Sequence, residues 1–197
     1  AGVITNGQNG VADFAVLSGV GILGGSMLRD FAIVATAYGA RLSDLKASGF
    51  AGMFSLVTGV VLSFSLGAII AVLFGYDDPI SITTIGAGSV TFVVGPVTGS
   101  AIGASSEVIA LSIAVGLVKS ILVMTVTPIV AKKIGLDNPR SAIVFGGLMG
   151  TNSGVAAGLA AVDPKLVPYG AMTATFYTAL GCLIVPSVLF ILIDLLF

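Results

Sequence analysis

Residues 149–158 read Met149-Gly150-Thr151-Asn152-Ser153-Gly154-Val155-Ala156-Ala157-Gly158 and lie inside an uncharged segment, 141–162. A second uncharged segment, 79–106, contains Val94-Gly95-Pro96-Val97-Thr98-Gly99-Ser100-Ala101-Ile102-Gly103. Aligned without a gap, the two stretches share three glycines. Each segment precedes a short polar turn and a long apolar run, which indicates a weak internal repeat of about 55 residues.

Two structures agree with this glycine spacing. A straight helix with a glycine at every fourth position would pack closely against a neighbour. An interrupted helix is favoured by Pro96, which removes a backbone donor, and by the polar residues 151–153 at mid-segment. Polar groups at that depth of a membrane are costly unless they line a cavity.

The composition identifies an integral membrane protein. Of 197 residues, 56% are hydrophobic and 9% charged, whereas soluble domains carry about 25% charged residues. The net charge of −1 and the absence of a basic stripe exclude a nucleic-acid partner. The sequence has no histidine and a single cysteine, Cys182, so a His-based metal site or an intrachain disulfide is excluded.

The charged turns predict how the chain crosses the membrane. Basic turns at 41–46 and 132–140 belong inside by the positive-inside rule, and the acidic turn at 77–78 belongs outside. Both basic turns lie inside only if 79–106 enters and leaves on one side, as a re-entrant or broken helical hairpin. The same logic makes 141–162 a hairpin from the opposite side, with spanning helices at 108–131 and 166–193.

We therefore expect an all-α polytopic membrane protein with inverted repeats, each a hairpin followed by a transmembrane helix. No linker divides the chain, so 1–197 is interpreted as one membrane transport domain. Because the chain begins at Ala1 in a polar stretch, we expect a further segment upstream. Irregular backbone and half-helix ends near the midplane are the features that ion-coupled anion carriers use.

Several long motifs are distributed over nearly the whole chain: 27–37, Thr83-Thr84-Ile85-Gly86-Ala87-Gly88, Val94–Gly99, Asn138-Pro139-Arg140-Ser141-Ala142, Phe145–Thr151 and Asp163-Pro164-Lys165-Leu166-Val167-Pro168-Tyr169-Gly170. Together they resemble one family, the M subunit of the two-component malonate carrier (MadM). The resemblance implies import of malonate with a cation, Na⁺, together with a smaller membrane subunit, the L subunit, in the bacterial inner membrane. It implies no organic cofactor.

Residue assignments rest on physical chemistry. Malonate is a dianion, so its pocket needs positive charge, and Lys119 lies near the middle of an apolar helix. It could instead pair with a carboxylate or snorkel. Arg29 could grip a carboxylate, although a boundary anchor or an intrahelical pair with Asp30 explains it equally well.

The hairpin tips supply the remaining candidates. Hydroxyl and amide groups there would touch malonate, and three of them would supply Na⁺ ligands: Thr98, Asn152 and Ser153, with Thr151 as a further substrate contact. Local capping of the half-helices is the alternative role. Four glycines would let the backbone turn and approach a ligand: Gly95, Gly99, Gly150 and Gly154. Thr83, Thr84, Thr173, Thr175 and Tyr177 are interpreted as interhelical hydrogen-bonding positions.

The sequence thus predicts a secondary active transporter subunit that works by alternating access. Two other functions remain open, a non-transporting assembly subunit and a passive channel partner. An enzyme is not expected, because no nucleophile–base pair, metal cluster or cofactor motif is present in the sequence.

Overall fold

The computed structural model describes residues 49–197, which are helical apart from short connections and breaks, with no strand in that range. The predicted all-α class is confirmed. The helices are α1 Gly49–Leu73, α2 Pro79–Val90, α3 Val94–Ile102, α4 Ser106–Val130, α5 Pro139–Met149, α6 Asn152–Val162, α7 Val167–Ile184 and α8 Phe190–Asp194. A 3₁₀ turn, Pro164–Leu166, precedes α7, and a π-helical turn, Val185–Leu189, joins α7 to α8.

Three helical stretches are long and apolar enough to cross a membrane: Gly49–Leu73, Ser106–Val130 and Pro164–Asp194. Helix α4 has 25 residues, or about 38 Å at 1.5 Å per residue, against a hydrocarbon core of roughly 30 Å. The predicted spans 108–131 and 166–193 differ from these bounds by one or two residues at each end.

The two glycine-rich segments are both interrupted. Residues 91–93, the first break, separate α2 from α3, and Gly150-Thr151, the second break, separates α5 from α6. Each of these four helices has 9 to 12 residues, or about 14–18 Å. Each is therefore about half as long as a membrane core is thick.

Local chemistry explains where the half-helices begin and end. Asp78 and Asn138 cap α2 and α5 in the same way, each accepting a bond from the backbone N–H of a serine three residues later. Pro96 in the first turn of α3 has no N–H to donate to Phe92, so α2 cannot continue through it. Gly150 ends α5 with φ +68°, a left-handed conformation that favours glycine.

Helices α2 and α3, the first helix pair, run antiparallel beside the N-terminal half of α4. Gly88 and Gly95 both pack against Ser112, and Gly99 packs against Ile109. The first break lies deeper, where Phe92 meets Gly116. Both arms of the pair therefore extend from mid-α4 towards its start.

Helices α5 and α6 are the second helix pair, of which α6 packs on the other half of α4 and α5 packs on α7 and α1. Gly154 packs against Ser120 and Gly158 against Thr127, so α6 runs from mid-α4 towards its end. Helix α5 follows α7 from the contact of Gly146 with Gly170 up to Gly150, which faces Tyr177. The two breaks consequently approach the middle of α4 from opposite ends.

Candidate functional site

A stripe of small and polar residues on α4 faces both helix pairs. Its members are spaced four residues apart, which places them on one face of a helix, and they are buried: Ser112, Gly116 and Ser120, with Thr127 continuing the line. Lys119 lies beside this stripe, next to Ser120. The stripe brings the middle of α4 close to both breaks.

Lys119 is bound to three separate elements. Its Nζ donates to the Ser63 hydroxyl of α1 at 3.0 Å, to the Val90 carbonyl at 2.9 Å and to the Tyr177 hydroxyl at 3.2 Å. Val90 is the last residue of α2, so the ammonium lies at the negative end of that helix dipole. Tyr177 in turn donates to the Gly59 carbonyl at 3.1 Å.

The residue after Lys119 binds the other break. Ser120 and Thr151 are joined through their hydroxyl groups, and both side chains are buried. The ring of Tyr177 lies against Gly150, where a methyl group would overlap it. Adjacent residues of α4 thus hold the first break through Val90 and the second break through Thr151.

Among the described residues, the Lys119 ammonium is stabilised by hydrogen bonds to neutral oxygens. Its three hydrogen-bond partners are two hydroxyls and a carbonyl, and its Nζ also lies 5.1 Å from the centre of the Tyr177 ring. The six acidic residues in 49–197 all lie at helix ends or in connections. Within 49–197 the Lys119 ammonium therefore has no carboxylate beside it, a setting that suits an anion.

The second break presents unsatisfied donors and an unsatisfied acceptor. Helix α6 begins at Asn152 after Thr151, with no side-chain cap for its first N–H groups. The Asn152 Oδ1 atom is buried and has no hydrogen-bond partner, whereas Ser153 is exposed. The predicted tip residues Thr151, Asn152 and Ser153 do lie at this break, and Gly154 follows in the first turn, packed on Ser120 and Val123.

The prediction for the first tip is corrected by the structure. Thr98, Gly95 and Gly99 lie inside α3, because the break falls earlier, at 91–93. Both glycines allow close helix packing rather than a turn, and the alignment of Gly95 with Gly150 pairs a helical residue with a break. Thr91 occupies the tip instead, where its hydroxyl accepts from the N–H groups of Val93 and Val94.

The structure also separates the predicted Na⁺ ligands Thr98, Asn152 and Ser153, which do not lie together. Helix α3 packs against α2, α4 and the 167–189 stretch, and α6 packs against α4, α7 and α5. Thr98 therefore lies with the first helix pair, away from Asn152 and Ser153 at the second break. Arg29 lies outside the described residues.

Sequence reasoning missed Ser63 and Ser120, and it treated Tyr177 as a structural hydrogen-bonding residue. The hydrogen bond of Tyr177 to Gly59 is interhelical as expected, but its contact with Lys119 was not anticipated. The four-residue spacing of Ser112, Gly116 and Ser120 is a signal that could have found this face of α4. Ser63 gives no such signal in its charge-free helix.

Comparison with known proteins gives one family. The family described as the malonate/sodium symporter MadM subunit matches residues 1–197, the whole chain. No curated protein and no solved structure matches this chain.

Proposed function

Because the chain belongs to the family of malonate/sodium symporter MadM subunits, as its motifs predicted, we propose that it imports malonate with Na⁺ by alternating access around the two helix breaks. The family is one of transporter subunits, not of enzymes, and its name implies at least one further subunit. We take that partner to be the smaller L subunit, and the location to be the bacterial inner membrane, with several spans.

The two helix pairs are proposed to be re-entrant hairpins from opposite membrane faces. Their arms are half a membrane thick, and they extend from mid-α4 in opposite directions. One contact recurs with both partners shifted by 58 residues along the chain: Gly88 packs on Ser112, and Gly146 packs on Gly170. Lys119 and Tyr177 are also 58 residues apart and meet at the centre. These relations support an inverted repeat.

Malonate is proposed to bind between the breaks, at Lys119 and the start of α6. One carboxylate would meet the ammonium. The other would accept hydrogen bonds from the Asn152 side-chain amide and from the uncapped backbone N–H groups at Asn152 and Ser153, where the helix dipole is positive. Thr151 would complete this wall, and Arg29 is retained as a further candidate. A dianion is recognised by opposed positive groups, which this position offers.

Substrate binding would also alter the link between the breaks. In the described structure all three Lys119 donors are taken by protein oxygens. A carboxylate must therefore displace one of them, and the 3.2 Å bond to Tyr177 is the longest. Occupancy of the site and the relative position of the two hairpins would then be coupled, as alternating access requires.

The single observation that carries this proposal is the Lys119 ammonium, which has no carboxylate partner within 49–197 and is held at one break while its neighbour Ser120 holds the other. The test is uptake of labelled malonate into vesicles containing both subunits, with an inward Na⁺ gradient. For Lys119→Met we expect uptake to fall about 100-fold or more, since losing one partner of a buried charge interaction costs roughly 3–5 kcal/mol.

Lys133→Met is the matched control, because Lys133 is exposed in a connection; its uptake should stay within about twofold of the wild type. For Asn152→Ala we expect a loss of about 10-fold or more, as for a hydrogen bond to a charged group. Unchanged uptake and Na⁺ dependence in both variants would contradict the proposed site.

Two further measurements test the alternative functions. Uptake that never exceeds the external malonate concentration would indicate a passive channel. Calorimetric titration of malonate into this subunit alone, its partner alone and the complex separates a binding subunit from an assembly subunit. Binding by the partner alone, with no contribution from this chain, would reject the proposal.

A further inference from the structure

Two threonines of the first helix pair have hydroxyl groups with no partner. The side chains of Thr83 on α2 and Thr98 on α3 are fully buried, and neither Oγ1 atom has a hydrogen-bond partner in the described structure. Six other helical threonines donate their hydroxyl to a carbonyl three or four residues earlier: Thr84, Thr125, Thr127, Thr173, Thr175 and Thr178. This local solution is common in helices, so its absence at both sites requires an explanation.

The two hydroxyls point to the same side of the helix pair. Helices α2 and α3 meet through two contacts, Gly88 with Gly95 and Thr84 with Gly99. Residues on a helix are 100° apart, and the helices are antiparallel. On both helices, the residue before a contact residue therefore faces the same side of the helix pair. Thr83 precedes Thr84 and Thr98 precedes Gly99, so both threonines face that side.

That common side faces the last membrane-length helical stretch. Val94, which precedes Gly95, and Val90 both pack against Gly181. Further from the break, Ile82 and Ile193 line the same cavity. Thr83 and Thr98 lie between these two levels, and the π-helical turn Val185–Leu189 packs against both α2 and α3.

The backbone opposite the two hydroxyls is irregular. Pro186 has no N–H, so the carbonyl of Cys182, four residues earlier, loses its normal helical donor. Isolated π-helical turns occur frequently at functional sites. Two buried hydroxyl oxygens without a partner and a carbonyl without its usual helical donor therefore belong to helical segments that pack against one another.

We propose that Thr83 Oγ1, Thr98 Oγ1 and a carbonyl of the π-helical stretch form the Na⁺ site of this carrier. The inference rests on the proposed symport and locates its cation. Oxygen atoms from hydroxyls and interrupted helices are the ligands that transporters use for Na⁺. None of these groups can take up a proton near neutral pH, so the site selects a metal cation over H⁺. It is separate from the anion position at Lys119.

The test uses the purified two-subunit complex and NaCl, with choline chloride keeping the ionic strength constant. Binding of Na⁺ to the native state raises the melting temperature, and a titration of that shift gives the Na⁺ affinity. Thr83→Val and Thr98→Val retain shape and remove the oxygen. We expect each to weaken Na⁺ affinity about 10-fold or more and to raise the Na⁺ concentration needed for half-maximal malonate uptake.

Thr84→Val is the matched control, because Thr84 adjoins Thr83 but bonds to the Ile80 carbonyl; its Na⁺ affinity should match the wild type. If a valine variant does not fold, Thr98→Ser should keep the affinity and Thr98→Ala should lose it. Equal Na⁺ affinity in Thr83→Val, Thr98→Val and the control would overturn this site while leaving symport intact. A wild-type complex with no response to Na⁺ would instead refute the cation coupling itself.

Discussion

Lys119 shows how a membrane helix can retain a charged side chain without a carboxylate among the described residues. A charged group inside a bilayer is costly, and here the cost is offset by three hydrogen bonds. Each partner belongs to a different helix, so the bonds also tie α1, α2 and α7 to α4. One residue thereby supplies the site with charge and the fold with a central link.

Removing the Tyr177 hydroxyl should show how much the hydrogen bonds around Lys119 contribute to stability. Tyr177→Phe keeps the ring against Gly150 but leaves the Gly59 carbonyl and one Lys119 donor unpaired. We expect the free energy of unfolding to fall by about 1–3 kcal/mol, detected as a lower melting temperature in detergent. Tyr169→Phe, at an exposed tyrosine, should change it by less than about 0.5 kcal/mol. Equal stability of the two variants would show that the Tyr177 hydroxyl contributes nothing.

Two constraints favour glycine at position 150, the backbone conformation and the close packing of a ring, and they can be tested separately. Gly150 has φ +68° and also lies against the Tyr177 ring, whereas Gly103 has φ +81° with open space around it. Gly103→Ala should cost about 1 kcal/mol from backbone strain alone. Gly150→Ala should cost clearly more, because the methyl group must displace the ring. A ranking in the reverse order, measured by melting temperature, would contradict the packed break.

At the scale of the element, each half-helix presents its ends to the centre of the molecule. Helix α2 ends at Val90 beside the Lys119 ammonium, and α6 begins at Asn152 with free N–H groups. Helix α3 differs, since Thr91 caps its first turn. The two breaks are therefore unequal, and the dipole of α6 is the one left for an anion.

The π-helical turn gives a prediction at this scale. Pro186→Ala restores an N–H that can bond to the Cys182 carbonyl and regularise the helix. If that carbonyl is a Na⁺ ligand, the Na⁺ affinity of the complex should fall several-fold while melting in choline chloride stays equal or rises. The matched change Pro168→Ala, in the first turn of α7, should leave Na⁺ affinity unchanged. A Pro186→Ala complex with wild-type Na⁺ affinity would remove this carbonyl from the ligand set.

At the scale of the whole molecule, the described helices form two helix pairs around one long helix. The first pair packs on the N-terminal half of α4, and α6 of the second pair packs on its C-terminal half. Helix α1 lies across both, since Gly67 packs on α2 and Gly59 packs on α5. In the proposed alternating-access cycle, the middle of α4 is the place where malonate would be reached from either side.

The proposed topology predicts which single cysteines share a membrane face. With Cys182 replaced by alanine, cysteines at Ser81 and Ser106 should react with an impermeant thiol reagent from outside. Cysteines at Lys132 and Ser141 should react only from inside, because they follow the next crossing. The measurement is labelling of intact cells against opened cells. Labelling of positions 81 and 106 from opposite faces would show that 79–106 crosses the membrane.

The sequence determined the class of the protein and the general location of its breaks. Hydropathy and charge alone exclude a soluble chain, because so few charged residues cannot cover a water-facing surface. Pro96 and Gly150 indicated interrupted helices, since the backbone rules for proline and glycine are local. The family followed from long contiguous motifs, and Lys119 stood out because a charge inside an apolar run is conspicuous on its own.

The contacts that these residues make could be known only from the packing of the helices. Ser63, Val90 and Tyr177 converge on Lys119 from positions 29 to 58 residues away, and contacts of that kind depend on how the helices pack. The glycines of α3 illustrate the same limit: Gly95 and Gly99 read as turn residues, but they serve close packing. Helix packing also placed Thr98 with the first helix pair and away from Asn152, because the neighbours of a residue in space depend on how its helix packs.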